Sequence, residues 1–280
     1  MNTQELRALS YKLRQDTLDI IMAGGGGHIG GDMSVMEILT ELYFDVMNVA
    51  PERADDPDRD YFIMSKGHSM EAYYAVLCEA GLLSLEDVKK RFSKFDSPYI
   101  GHPHNTLPGI EMNSGSLGHG LPVAVGLALA ARMDKRPSRV YVVTGDGELA
   151  EGSNWEGFMS GAMYGLDNLC CIIDRNRLQI SGGTEDVMAL DDLAGKLSAF
   201  NWHVVKVSDG NDIGELHDAF AKAREHRGQP TVIIANTIKG KGSSVMENKA
   251  SWHHHVPTAE EYEQIKKDLN ATISELGGAT

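Results

Sequence analysis

Over 280 residues the chain carries 26 basic against 40 acidic side chains, a net charge of -14, which excludes nucleic acid and anionic membranes as general partners because both repel a polyanion. Its longest apolar run, LPVAVGLALAA at 121–131, is too short to span a bilayer, and the first residues lack a signal peptide's apolar stretch, so the expectation is a cytoplasmic protein. Cys78, Cys170 and Cys171, two of them adjacent in an apolar run, read as buried thiols rather than a disulfide framework.

The first element is a helix, because Leu6, Leu9, Leu13, Thr17 and Ile20 recur at helical spacing. It runs into AGGGGHIGGD at 23–32, where Gly25, Gly27 and Gly30 satisfy the dinucleotide pattern G-x-G-x-x-G. That pattern must follow a strand, and a phosphate loop would need a following Lys-Ser/Thr, so neither reading fits. The glycines instead predict a helix end and a bare backbone that passes close to something, with His28 presented on the loop. Ser34 and Glu37 read as a capping box that opens a helix over Val35, Ile38, Leu39 and Leu42.

Further on, apolar β-branched runs recur at 61–65, 140–144, 169–174, 203–207 and 231–237. They do not alternate with polar residues, which suits strands buried on both faces. Helical patterns lie between them, at Trp155, Phe158, Met159, Ala162 and Met163 and at Ile213, Leu216 and Phe220. A last helix over Tyr262, Ile265, Leu269, Ile273 and Leu276 opens with Thr258 and Glu261 as a capping box. No linker, repeat or low-complexity tract interrupts this, and residues 1–280 read as one α/β domain: an open, mainly parallel sheet with helices on both faces. Ligands in such sheets sit beyond the carboxyl ends of the strands.

Two stretches, 93–120 and 239–257, carry no periodicity, and long irregular loops in compact domains are usually functional. Eight of the eleven histidines, at 28, 68, 102, 104, 119, 253, 254 and 255, fall in such glycine- or proline-rich loops. A single loop histidine is ordinary; eight together point to one shared polar site. His203, His217 and His226 sit in strand or helix patterns and read as structural.

The most informative stretch is VYVVTGDGELAEGSNWEGF. A buried strand ends in Gly145-Asp146-Gly147 and a helix soon follows, so a diphosphate can approach backbone N–H groups while Asp146 holds its metal. The next strand ends in RNRLQISGG and brings Asn176 to the neighbouring tip. Asp146, Asn176, a main-chain carbonyl, phosphate oxygens and water would complete the oxygen octahedron that Mg²⁺ demands. Gly-Asp-Gly alone is a common turn; the strand before it and the Asn at the next tip make it specific.

A GDG followed some thirty residues later by Asn is the thiamine diphosphate motif. With GGGHIGG, DRDYFIMSKGH, GHP, GSLGHG, GDGELAEG, DRNRLQISG, IKGKG and SWHH in order, the chain resembles the N-terminal, diphosphate-binding part of transketolases over nearly all its length. The resemblance implies thiamine diphosphate and Mg²⁺ (Ca²⁺ or Mn²⁺ able to substitute), with Asp146, Asn176 and the carbonyl of Leu178 as metal ligands and Gly147 accommodating the diphosphate. Lys66, His68, Gly115, Ser116, Leu117, Asn176, Lys239 and His253 would bind the cofactor. His28, His102 and His253 would surround the substrate's hydroxyl and carbonyl groups, and Glu151 would be linked to the acid that activates the cofactor. On its own, Glu151 is also an ordinary first-turn helix carboxylate.

Three residues depart from the family: His119 stands where glutamine is usual, Ile29 where proline is usual and His254 where glycine is common. His104 and His255 have no counterpart and read as surface residues. Full transketolases continue into a pyrimidine-binding domain, which supplies the activating glutamate, and a C-terminal domain. The resemblance thus implies a split enzyme: a second subunit carries those domains, the assembly is a heterotetramer, and the substrates are sugar phosphates or similar anionic sugars. Two other readings remain open here. One is the alpha subunit of a 2-oxo acid dehydrogenase, a family without SKGH, GHP and SWH; the other is a non-catalytic thiamine diphosphate-binding module.

Overall fold

A computed structural model describes residues 1–277. Five strands, β1 (Tyr61–Met64), β2 (Val140–Gly145), β3 (Leu169–Asp174), β6 (His203–Val207) and β7 (Thr231–Ala235), form one sheet in the order β1-β2-β3-β7-β6. Every pairing in it is parallel. The two-residue strands β4 (Leu178–Gln179) and β5 (Gly182–Gly183) make a small antiparallel hairpin.

The helices are α1 (Thr3–Gly24), α2 (Ile29–Ser34), α3 (Met36–Glu41), α4 (Met70–Glu79), α5 (Leu85–Arg91), α6 (Gly120–Met133), α7 (Gly152–Met163), α8 (Thr184–Val187), α9 (Leu193–Ala199), α10 (Ile213–Glu225) and α11 (Ala259–Glu275). Alternate strand residues point to opposite faces. Phe62, Met64, Tyr141, Val143, Cys170, Ile172 and Ile233 pack with residues of α1, α3, α4 and α10. Ile63, Val140, Val142, Cys171, Ile173, Val232 and Ile234 pack with α6, α7 and α9 on the other face. The open α/β sheet covered on both sides is therefore as expected.

The edge strand β6 differs from expectation: Lys206 is exposed and His203 and Val204 only half-buried, because β6 has a neighbour on one side only. His203 stacks on His226 with ring centroids 3.9 Å apart. Cys170 and Cys171 are buried free thiols, while Cys78 is only partly buried.

Helix α1 starts at an Asn2–Glu5 capping box and ends where Gly25 takes a left-handed conformation, φ 68°. A helix, not a strand, thus precedes the glycine loop. The Ser34–Glu37 capping box does not form. Chain direction changes earlier, at His28, which is the N-cap of α2, and the cap of α3 is Val35, with no side-chain hydrogen bond. Ser34 instead donates to Asp174 Oδ2 at 2.6 Å, and Glu37 takes both guanidinium nitrogens of Arg14 at 2.6 Å. Charge-assisted partners across the fold outweigh a local cap of about 1 kcal/mol.

Helices α4 and α6 carried no legible amphipathic stripe, since residues 70–77 of α4 are all buried and burial all round erases the stripe that marks a surface helix. Between α5 and α6 no helix or strand forms, and 239–257 holds only a short turn at Ala250–Trp252. Both long loops predicted from the absence of periodicity are present.

Candidate functional site

The parallel register sets the site. Gly145 of β2 lies opposite Asp174 of β3, which lies opposite Ala235 of β7, so three strand tips finish at one level. Beyond β2, the Asp146 carboxylate is 2 % exposed and accepts from the N–H groups of Gly147 at 2.9 Å and Arg177 at 2.7 Å. Arg175 Nη1 adds an ion pair at 3.2 Å. Burial and then the charge of Asp174 raise the Asp146 carboxyl above its ordinary value, against Arg175. Beyond β3, Asn176 Oδ1 accepts from Leu178 N–H at 3.1 Å, and Nδ2 donates to Ser34 and to Asp174, each at 3.3 Å. The Leu178 carbonyl accepts from Lys239 Nζ at 3.4 Å.

Asp174 is the residue that sequence reasoning missed. It is fully buried and collects Lys66 Nζ, Ser34 Oγ, Thr237 Oγ1 and Asn176 Nδ2. Burial alone would raise its carboxyl, but Lys66 and the two hydroxyls hold it below the ordinary value. Arg175, also missed, bridges Asp146 and Glu185. So was Glu148, whose buried carboxylate receives Ser65 Oγ and the N–H groups of Gly118 and Gly145, the latter two at 2.9 Å, and so ties three loops together.

Above the tips stand the imidazoles. His28 lies 5.4 Å from His68, 5.9 Å from His102, 5.7 Å from His253 and 4.7 Å from His254, and His68 lies 5.1 Å from His253, all between ring centroids. Residues far apart in sequence thus converge. Burial, then neighbouring positive or titratable groups, lowers His28 to about 4 and His253 to about 3; burial likewise lowers His68 and His102. These rings are neutral at pH 7. In the unfolded chain they titrate near 6.5, so between that pH and about 4 the folded state binds fewer protons. The stability they carry is present above pH 6.5 and lost as pH falls. A thermal-unfolding series should show His253→Gln losing less Tm than the parent between pH 6.5 and 4; equal slopes would refute the assignment.

Beneath His28 lies a second titrating pair of opposite sign. Asp32 and Glu71 are both fully buried; Asp32 Oδ1 accepts the Ala72 N–H at 3.0 Å, while its other oxygen and both oxygens of Glu71 have no hydrogen-bond partner among the described residues. A Cβ on Gly27 would come within 3.3 Å of the Glu71 carboxyl carbon, and one on Gly101 within 3.7 Å of its Oε1. The pair thus backs both the His28 and the His102 loops. Burial pushes Asp32 up to about 7, and burial with the Asp32 charge pushes Glu71 well up. Here the folded state binds more protons than the unfolded one, so stability present below pH 4 is lost as pH rises through 7. Glu71→Gln should therefore gain Tm over the parent at pH 8.5 and not at pH 5, and the reverse order would exclude raised carboxyls in this pair.

The chemistry of these donors fits an anion and a hard cation. Lys239 is 1 % exposed; its Nζ meets the Leu178 carbonyl and, at 3.0 Å, His253 Nδ1. Among the described residues no carboxylate comes within ion-pair distance of it. Burial, then Lys66, lowers it to about 8. A desolvated ammonium without a fixed counter-charge suits a ligand oxyanion, and Asp146, Asn176 and the Leu178 carbonyl offer oxygen atoms of the kind that Mg²⁺ or Ca²⁺ prefers. Backbone closeness completes the cradle: Gly115, φ 133°, leaves no room for a Cβ, which would sit 2.7 Å from the His102 ring.

Not every expected residue enters this cluster. Ser116 is exposed and Leu117 half-buried. Glu151 is exposed at the N-cap of α7, placed on the rim against Gly118, where a Cβ would lie 2.6 Å from its own. His119 is an exposed N-cap of α6. His254 does crowd His28, whereas Ile29 turns away and fills an apolar cluster with Met33, Met246 and Trp252. His104 is half-buried against Thr106, and His255, also half-buried, bonds Glu261 against the Trp252 ring; both lie outside the imidazole cluster, and neither is as exposed as a surface reading requires. Among the described residues no helix is long and apolar enough to cross a membrane.

Residues 6–274 match the family model for the transketolase thiamine diphosphate binding domain. The chain is 45% identical over 276 residues to an apulose-4-phosphate transketolase subunit of Phocaeicola vulgatus, covering 99% of this chain and 98% of that one. It is 37% identical over 274 residues to the 6-deoxy-6-sulfo-D-fructose transketolase subunit SqwG of a Clostridium species, covering 95% and 96%. The transketolase structure from Leishmania mexicana superposes with a TM-score of 0.88 at 30% identity, over 99% of this chain but 45% of that one. The chain thus spans under half the length of that solved transketolase. Neither the 2-oxo acid dehydrogenase nor the bare binding-module reading is favoured by these matches. The chain belongs to the transketolase family and comprises its thiamine diphosphate-binding domain.

Proposed function

We propose that this chain is the cofactor-binding subunit of a split transketolase, which transfers a two-carbon ketol unit from an anionic ketose to an aldose. The observation that carries this is Lys239, a buried ammonium with no carboxylate partner among the described residues, set between the oxygen donors at the strand tips and the imidazole cluster. Asp146, Asn176 Oδ1 and the Leu178 carbonyl would hold Mg²⁺, which Ca²⁺ or Mn²⁺ could replace. Gly147 would leave room for the diphosphate. Lys66, His68, Gly115, Ser116, Leu117, Asn176, Lys239 and His253 would hold the rest of the cofactor. When bound, thiamine diphosphate supplies the thiazolium carbon that carries the two-carbon unit.

The chain's own contribution is to hold the sugar. His28, His102 and His253, neutral at pH 7, would hydrogen-bond the ketose hydroxyls and orient its carbonyl. Close packing of His254 on His28 would keep the sugar aligned. Glu151, exposed on the rim, would reach a carboxylic acid of a second subunit, which brings the pyrimidine-binding and C-terminal domains in a cytoplasmic heterotetramer. This chain spans nearly all of two relatives named as subunits and under half of a full transketolase, which supports that division. The names of those relatives carry a sugar phosphate and a sulfonated sugar, in keeping with an anionic ketose.

The test is to purify the tagged chain from its own cells with Mg²⁺ and thiamine diphosphate and record native mass spectra. Equal copies of a second chain and one cofactor per pair are expected. A chain that stays alone under these conditions, with no turnover of ketose phosphates, would overturn the proposal.

A further inference from the structure

A second polar cluster lies on the α3/α10 side of the sheet, outside the strand-tip site. Helix α3 ends at Glu41 and continues into a π-wound turn, Leu42–Val46, which carries Asp45. Across from it, on α10, stands His217. Its Nδ1 is 3.0 Å from Glu41 Oε1 and 3.1 Å from Asp45 Oδ2, and one donor atom from each residue lies within 4.8 Å of the others. In a tetrahedral zinc site with metal–ligand distances near 2.0–2.2 Å, neighbouring donor atoms are roughly 3.3–3.6 Å apart. The two contacts of His217 are therefore within a few tenths of an ångström of a ligating arrangement.

Charge balance points the same way. The Glu41 side chain is fully buried, and its second oxygen, Oε2, has no hydrogen-bond partner among the described residues. Among the described residues, no lysine or arginine pairs with Glu41 or Asp45, so two carboxylates share a single imidazole. A buried carboxylate without a fixed cation is costly. Asp45 and His217 are 27 % and 49 % exposed, which leaves the outer side open to water, and π-wound turns within helices recur at functional sites.

We propose that Glu41, Asp45 and His217 bind a first-row divalent transition cation, Zn²⁺ foremost, through three protein ligands and one water. The mixed nitrogen and oxygen donors suit such an ion better than Mg²⁺, which prefers an oxygen octahedron. The ion would clamp α10 to α3. Asn211, just before α10, already bonds Glu37 of α3 at 2.7 Å, so the clamp would brace the same pair of helices at a second point. The site is independent of the proposed transketolase activity.

The experiment titrates ZnCl₂ into the chelator-treated full chain at pH 7.5, with Mg²⁺ and thiamine diphosphate present, by calorimetry and thermal unfolding. His217→Ala and Asp45→Asn, both at partly exposed positions, are compared with the parent. The parent should take up one more Zn²⁺ per chain than either variant, and its Zn²⁺-dependent rise in Tm should require at least ten-fold more metal in the variants. Zn²⁺ that binds only the strand-tip imidazoles would give equal uptake and equal Tm shifts in all three proteins. That result, or no uptake by the parent, overturns the proposal.

Discussion

Arg14→Met should lower the unfolding free energy by about 3–5 kcal/mol, the cost of stripping one partner from a buried ion pair. Arg14 and Glu37 are 0 % and 1 % exposed. The guanidinium meets both Glu37 oxygens at 2.6 Å, and it donates to the Met33 carbonyl at 2.8 Å and the Lys241 carbonyl at 3.1 Å. One side chain thus joins α1 to α2, α3 and the 239–257 loop. Its loss leaves Glu37 with only Asn211 and Ser10 as partners, while two carbonyls lose their donor. The double variant Arg14→Met, Glu37→Met, which removes both charges at similar volume, should recover most of the loss. Urea unfolding of the two variants and Glu37→Met forms the cycle; a single Arg14→Met cost below about 1 kcal/mol would show that the pair is not the anchor described.

The largest functional effect is expected at Asp146. In the assembled enzyme, Asp146→Asn should reduce kcat/KM by at least about 100-fold, since even groups that merely support a metal ligand commonly contribute 10–100-fold. The same variant should abolish the rise in Tm that Mg²⁺ with thiamine diphosphate gives the parent. Without cofactor its stability should change little, because Arg175 keeps Glu185 at 2.7 Å and Thr184 at 3.3 Å as partners. Asparagine keeps the shape and one oxygen but loses the charge, so the comparison reads the carboxylate itself. A variant with an undiminished cofactor-dependent Tm rise would remove Asp146 from the proposed metal site.

The strand tips were legible because their signals are local. A β-branched run, a Gly-Asp-Gly and an Asn after the next run place two donors at adjacent tips without any tertiary information, and the five strands lie within a residue or two of where their composition put them. Asp174 was not legible for the opposite reason. Its partners Lys66, Ser34 and Thr237 are 108, 140 and 63 residues away, and no spacing encodes such a meeting. The Ser34–Glu37 signature failed through the same competition: both side chains found distant partners that outweigh a cap. Glu148 and Arg175 flank recognised motif residues, but nothing in the sequence said that they face inward.

The dispersed origin of the Asp174 cluster bears on how the protein is made. A carboxylate there can leave water only when Lys66, Ser34 and Thr237 are in place together, and parallel pairings of high sequence separation form late and slowly. A chain emerging from the ribosome cannot complete this cluster until the segment through Thr237 has been synthesised, and domains generally fold as units once their chain is available. The earlier strands must wait with apolar edges uncovered, which makes the interval before β7 arrives the period of greatest exposure to aggregation, and the moment when chaperone capture matters most.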